Sequence, residues 1–295
     1  MTAPQEGRQE PGGVSGDPAT PPADGHVHSE CSWDAPYSSM ELACRRAVDI
    51  GLPSIAFTDH ADFTPRRIAA AVTPPEWKRG LITDRVLTPP PLDVPRYVRS
   101  IEACRRMFPE LRILSGVELG EPHRHPRTVA DLLGGAGFER VLASVHTLPA
   151  GAGASTVDAA LDVSTPREVV RRYLGEVRQL VERFDDFHVL AHIDYAARFW
   201  PREHAEHRVA DFEDGYRAVL AVLAAKGKAL EVNTRVPLSL DILRWWRDEG
   251  GEAITFGSDA HRPEQVARGF ADAAALAATA GFAPGRFPDD LWRRR

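Results

Sequence analysis

Short apolar runs alternate with longer stretches whose apolar residues recur every three or four positions, from Asp24 to about Ala280. The short runs read as buried strands, and the long ones as helices packed by one face. Strands are expected from Asp24 and over 53–57, 112–117, 140–145, 187–191, 229–232 and 253–256. Helices are expected over 38–50 and 94–108, through Val129, Leu132 and Leu133, and over 166–184, 209–226, 238–249 and 263–280. A Ser38-x-x-Glu41 capping box opens the first helix and Gly51 stops it. The clearest helix follows Thr165, where Thr165 and Glu168 frame a proline at the first helical position. Its stripe of Val169, Val170, Tyr173, Leu174, Val177, Leu180, Val181 and Phe184 keeps one side of a 3.6-residue period.

Seven strand-then-helix units in strict alternation imply parallel neighbours, because each return to the sheet is made through a helix. Over ~250 residues the natural closure is an α/β fold, a (β/α)7 TIM-like barrel with its helices outside and its site at the carboxyl ends of the strands. An open doubly wound sheet fits the alternation too, but converges residues from only a few strands at one crevice. The barrel is expected over 23–285. Residues 1–22, rich in Gly, Pro, Glu and Ala, read as a disordered tail, and 286–295 as a basic one. Residues 61–94 break the rhythm with six prolines and Trp77, a Pro-rich insertion read as a lid or recognition element against a bland surface excursion. Residues 151–163 form a small-residue loop.

Ionisable residues gather where six of the seven apolar runs end. His26-x-His28 leaves the first strand, and residues two apart share a face on extended chain. Asp34 can return from the following loop. Later runs end on Thr58-Asp59-His60, Glu118, His146, His192-Ile193-Asp194 and Asp259-x-His261. Singly, each has a bland reading as a hydrogen-bonded strand-end residue. His188 is read as structural, His204 and His207 as solvated, Glu231 as facing a helix, and His123 and His125 as marginal. Together, imidazole and carboxylate suit zinc, manganese or iron better than calcium. Nine candidates, namely His26, His28, Asp34, His60, Glu118, His146, His192, Asp259 and His261, are too many for one ion. A shared carboxylate is the usual way to hold two, and Glu118 and Asp259 are the candidates for bridging.

Composition narrows the class. A hydrophobic fraction of 43% and a charged fraction of 26% over 295 residues describe an ordinary globular protein. The net charge of −6 argues against a surface for long nucleic acid, while leaving room for a small phosphorylated substrate. Three unpaired-looking cysteines, no apolar run long enough to span a bilayer and no secretory leader make the cytoplasm the default and a membrane partner unexpected.

The pattern His26-x-His28, Thr58-Asp59-His60, Glu118, His146, His192 and Asp259-x-His261 resembles the polymerase-and-histidinol-phosphatase (PHP) superfamily over residues 24–265. The run from His28 to Asp34 is similar to its histidinol-phosphatase branch. The resemblance implies a distorted seven-unit barrel with three divalent metal ions. It puts His26, His28, Glu118 and Asp259 on one ion, Glu118, His146 and His192 on a second, and Asp34, His60 and His261 on a third. Arg198 and Arg235 match phosphate-contacting positions, and planar guanidinium forks suit that task. Asp59 and Asp194 are expected to fix imidazole tautomers. The implied activity is phosphomonoester hydrolysis, with L-histidinol phosphate as substrate in histidine biosynthesis. Phosphoesterase action on nucleotides or nucleic-acid ends is the alternative, and a non-catalytic regulatory domain a lesser one. A dehydrogenase is disfavoured, since Asp24-Gly25-His26 is no glycine-rich phosphate turn.

Overall fold

The computed structural model describes residues 21–295 apart from 203, 205, 206 and 288. The expected disordered tail lies, except for its last two residues, outside the described residues. Seven parallel strands form the barrel: β1 (Asp24–Val27), β2 (Ser54–Asp62), β3 (Arg112–Gly120), β4 (Arg140–Ser144), β5 (Val189–Leu190), β6 (Ala229–Asn233) and β7 (Ala253–Gly257). They pair in chain order, and Asp24 meets Phe256 to close the ring. Strand lengths from two to nine residues make the barrel uneven.

Because side chains alternate along a strand, each barrel strand faces one set inward and packs the other against helices. The helix Pro166–Arg183 buries the predicted stripe, and both halves of its capping box are made. No helix among the described residues is long and apolar enough to cross a membrane.

Five expectations need correction. The first helix is Met40–Asp49, capped by Ser39 rather than Ser38. Ser38 instead donates to the His28 carbonyl at 2.7 Å, fixing the turn after the first strand. The last helix starts at Phe270, not Pro263. The chain between turns through positive φ at Ala267 and Gly269, with the Ala267 amide donating to buried Asp24 at 2.9 Å. Residues 61–94 are not a loop. β2 itself runs to Asp62, and the strands Arg66–Arg67, Ile82–Thr83 and Val86–Leu87 join the hairpin Thr147–Ala150 and Gly153–Thr156 in a second, five-stranded sheet. The supposed small-residue loop is thus partly that hairpin. Finally, the basic end carries a strand, Trp292–Arg294, antiparallel to the start of β7. β1 joins β7 only at Phe256, so the amino end of β7 would otherwise be an open edge.

Candidate metal centre

All nine candidate ligands converge at the carboxyl ends of the strands, in four overlapping sets whose donor atoms lie within 4.8 Å of one another. The sets are His26, His28 and Asp259; His26, Glu118 and His192; His60, Glu118 and His146; and His28, Asp34, His60 and His261. The expected grouping differs in detail: His28 also stands with the Asp34 set, and His192 and His146 fall in separate sets.

Glu118 is the centre of the arrangement. Its Oε1 lies 2.8 Å from His192 Nε2 and 3.1 Å from His146 Nε2. Its Oε2 lies 3.0, 3.4 and 3.2 Å from His26 Nε2, His28 Nε2 and His60 Nδ1. One fully buried carboxylate therefore faces two groups of imidazoles, one with each oxygen. Asp34 Oδ2 faces His261 Nε2 at 3.0 Å and His60 Nε2 at 3.3 Å. Asp259 Oδ1 faces His28 Nε2 at 3.4 Å.

These separations suit a cation. Ligands ~2.1 Å from a tetrahedral ion lie ~3.4 Å from each other. His26 and His28 set two Nε2 atoms 3.1 Å apart, where at most one can carry a proton toward the other. Buried His192 Nδ1 has no hydrogen-bond partner, and its Nε2 is the atom turned to Glu118. A set of six imidazoles and three carboxylates is chemistry for a divalent transition ion.

The far ring nitrogens explain how the near ones stay free. His26 Nδ1 contacts Glu231 Oε1 at 2.6 Å, His146 Nδ1 contacts Asp62 Oδ1 at 3.3 Å, and His261 Nδ1 contacts the Asp259 carbonyl at 2.9 Å. Donation at Nδ1 leaves the Nε2 lone pair for a metal. Glu231 also accepts from the His192 amide at 2.7 Å. His192 and Asp259 both adopt positive φ, 22° and 52°, a conformation that costs energy and must be held by such contacts.

Burial alone would push Glu118, Asp34 and Asp259 toward neutrality, but neighbouring imidazoles, with Arg198 at Asp259, hold all three well below the usual carboxylate range. His26 and His146 go the other way. Burial lowers them, and Glu231 and Glu118 at His26, and Glu118 and Asp62 at His146, outweigh it.

The groups that face the far ring nitrogens of His26 and His146 are Glu231 and Asp62, where Asp59 and Asp194 were expected. Asp59 accepts from the Ser29 amide and hydroxyl, each at 2.6 Å, and so shapes the turn after His28. It projects to the opposite face of β2 from His60, whereas Asp62 shares the His60 face. Asp194 has no imidazole within reach among the described residues; it faces Arg198, and burial pushes its carboxyl up to about 6. His123 pairs with buried Glu176 on the helix Pro166–Arg183, and His125 with Thr64, so both are structural. His188 accepts from the Val141 amide, as a structural residue should. His207 is not simply solvated: it packs against Trp200 and Phe212.

A cavity of about 640 Å³ opens over the cluster. Arg198 reaches Asp259 Oδ2 at 2.8 Å and Asn233 Oδ1 at 3.1 Å, and half-exposed Arg235 reaches Asp259 Oδ1 at 3.3 Å. Trp33, Trp77, Tyr195 and Phe199 give the cavity aromatic walls. The second sheet contributes buried Arg66, whose Nη2 donates to Asp62 at 2.8 Å.

The PHP domain family model matches residues 24–235. A histidinol-phosphatase of Lactococcus lactis is 28% identical over 249 residues, covering 81% of this chain and 83% of that one. A probable histidinol-phosphatase of Deinococcus radiodurans is 30% identical over 266 residues, covering 85% and 90%. The crystal structure of the histidinol phosphate phosphatase from Lactococcus lactis, complexed with zinc, L-histidinol and phosphate, superposes with a TM-score of 0.74 at 26% identity, over 90% of this chain and 95% of that one.

Proposed function

This chain belongs to the PHP domain family, and on that premise we propose that it is a metal-dependent phosphomonoesterase of small phosphorylated metabolites, with L-histidinol phosphate as its substrate. The observation that carries the reading is Glu118, one buried carboxylate between two groups of imidazoles. That is the arrangement needed to share a ligand between ions.

In this reading Glu118 joins His26, His28 and Asp259 at one ion and His146 and His192 at a second, while Asp34, His60 and His261 hold a third; zinc, manganese and iron all fit these donors. When bound, such ions acidify a water to near pH 7 as nucleophile and neutralise charge on the phosphoryl oxygens. The protein supplies the rest. Arg198 and Arg235 present guanidinium forks at the cavity floor, beside Asp259, and orient the phosphate. Glu231 and Asp62 keep His26 and His146 in the tautomer that leaves Nε2 free. The aromatic walls stack a planar leaving group, an imidazole or equally a nucleobase. That wall is why mononucleotides belong in the same assay.

The test is hydrolysis by the metal-loaded protein of L-histidinol phosphate, a mononucleotide panel and a phosphodiester. His60→Ala should lower the rate on the true substrate on the order of 100-fold or more. Absence of metal-dependent activity on every ester would sink the reading. Asp34→Ala should remove one ion per chain and leave the others, since Asp34 belongs to a single set. Metal counting by mass spectrometry reads this directly, and an unchanged stoichiometry would count against the assignment.

A further inference from the structure

We propose that Lys78, on the second sheet's side of the cavity, is the acid that protonates the departing alcohol. The inference rests on the phosphomonoesterase reading above and supplies the step that the metal cluster and the arginines leave open.

Lys78 lies on the short helix Glu76–Arg79 and lines the same cavity as His60, His261 and Arg198. Its ammonium stands 4.8 Å from the centre of the Trp33 ring and 5.7 Å from that of Trp77. Asp34, Asp62 and Asp158 act on it through their charge. Indole faces hold a cation by its charge without accepting its protons. The group is thus positioned while its N–H bonds stay available. Trp33 is itself anchored, its Nε1 donating to Asp62 at 3.1 Å, and it precedes Asp34 in the chain. Lys78 therefore stands on the side of the cavity where the charges of Asp34, Asp62 and Arg66 reach it.

The other candidates fare worse. Guanidinium groups do not give up protons in proteins. The six clustered imidazoles stand in the sets that would hold the ions. Tyr195 packs edge-on to His146 at 5.3 Å with Arg198 4.8 Å over its ring, on the phosphate side, and burial pushes its phenol above the ordinary value. Burial moves Lys78 the opposite way, below its ordinary value, which makes it the readier donor.

As the bond from phosphorus to the ester oxygen breaks, its electron pair passes to that oxygen. The oxygen takes a proton from Lys78 and leaves as a neutral alcohol. Water supplies the new phosphate oxygen; one of its protons stays on the phosphate, the other goes to solvent, and solvent reprotonates Lys78.

The experiment compares wild type, Lys78→Met, Lys78→Arg and Tyr195→Phe, all metal-loaded, on L-histidinol phosphate and on 4-nitrophenyl phosphate, whose leaving group departs without a proton. Both Lys78 variants should lose on the order of 100-fold in kcat on the alkyl ester and at least tenfold less on the nitrophenyl ester. Metal content and affinity for inorganic phosphate, measured by calorimetry, should match wild type. Equal losses on the two esters, wild-type behaviour of Lys78→Arg, or a leaving-group effect that appears in Tyr195→Phe instead would each overturn the proposal. Failure of wild type to hydrolyse either ester would overturn the phosphomonoesterase reading itself and this step with it.

Discussion

Replacing Glu118 by glutamine is expected to empty at least two metal positions and to lower kcat/KM on the order of 1,000-fold or more. The substitution keeps the shape of a fully buried side chain but turns one carboxylate oxygen into an amide that cannot ligate. Whichever oxygen is lost, a group of imidazoles faces a donor in its place: His146 and His192 on one side, or His26, His28 and His60 on the other. The remaining carboxylates cannot compensate. Asp34 serves the set around His261, and Asp259 is engaged by Arg198 and Arg235. Metal content by mass spectrometry and initial rates on the same preparation decide the matter. A variant with its full complement of ions would show that Glu118 is a hydrogen-bond acceptor and not a bridge.

Gly257→Ala should be nearly as damaging from a position that touches no metal. Gly257 ends β7, and a Cβ there would overlap Glu231 Oε1 and come within 2.7 Å of His26 Cβ. Neither neighbour can retreat, because Glu231 also holds the His192 amide and His26 also faces Glu118. Overpacking of this kind costs about 1–3 kcal/mol, and here the displaced atoms are those that orient His26. The expected result is a lower melting temperature together with loss of the ion served by His26. Gly134→Ala is the control, since that Cβ meets nothing within 4 Å in the helix Pro126–Ala136 and alanine favours a helix. Equal behaviour of the two variants would refute the argument.

The barrel and the convergence of its strand ends were legible because they depend on one-dimensional regularities. Six of the seven apolar runs ended on an ionisable residue, and parallel strands bring such ends together. The supporting residues escaped for a physical reason. Glu231 lies mid-strand, where a carboxylate reads as facing outward, and only barrel closure turns it toward His26. Asp62 shares the His60 face, but its signal was lost by ending the strand at Phe57, whereas β2 continues through five further residues. Ser38 and Ser39 are equally good caps on paper; the His28 carbonyl takes the first and leaves the second for the helix. The second sheet was invisible in the pattern. Its strands in 66–87 are two residues long, too short to show a period, and one hairpin turns on Asp84 and Arg85 at positive φ without a glycine to mark it.

The link from Arg66 through Asp62 to His146 gives this chain a constraint on its own variation. Arg66 opens the outer sheet, Asp62 ends an inner strand, and His146 turns toward Glu118. The cavity wall and the floor that would hold the ions thus share one carboxylate. A graft that swaps residues 61–94 for another sequence would exchange more than a recognition surface. It would take away the partner of His146, and a donor sequence has to bring its own acid at position 62 before its choice of substrate can matter.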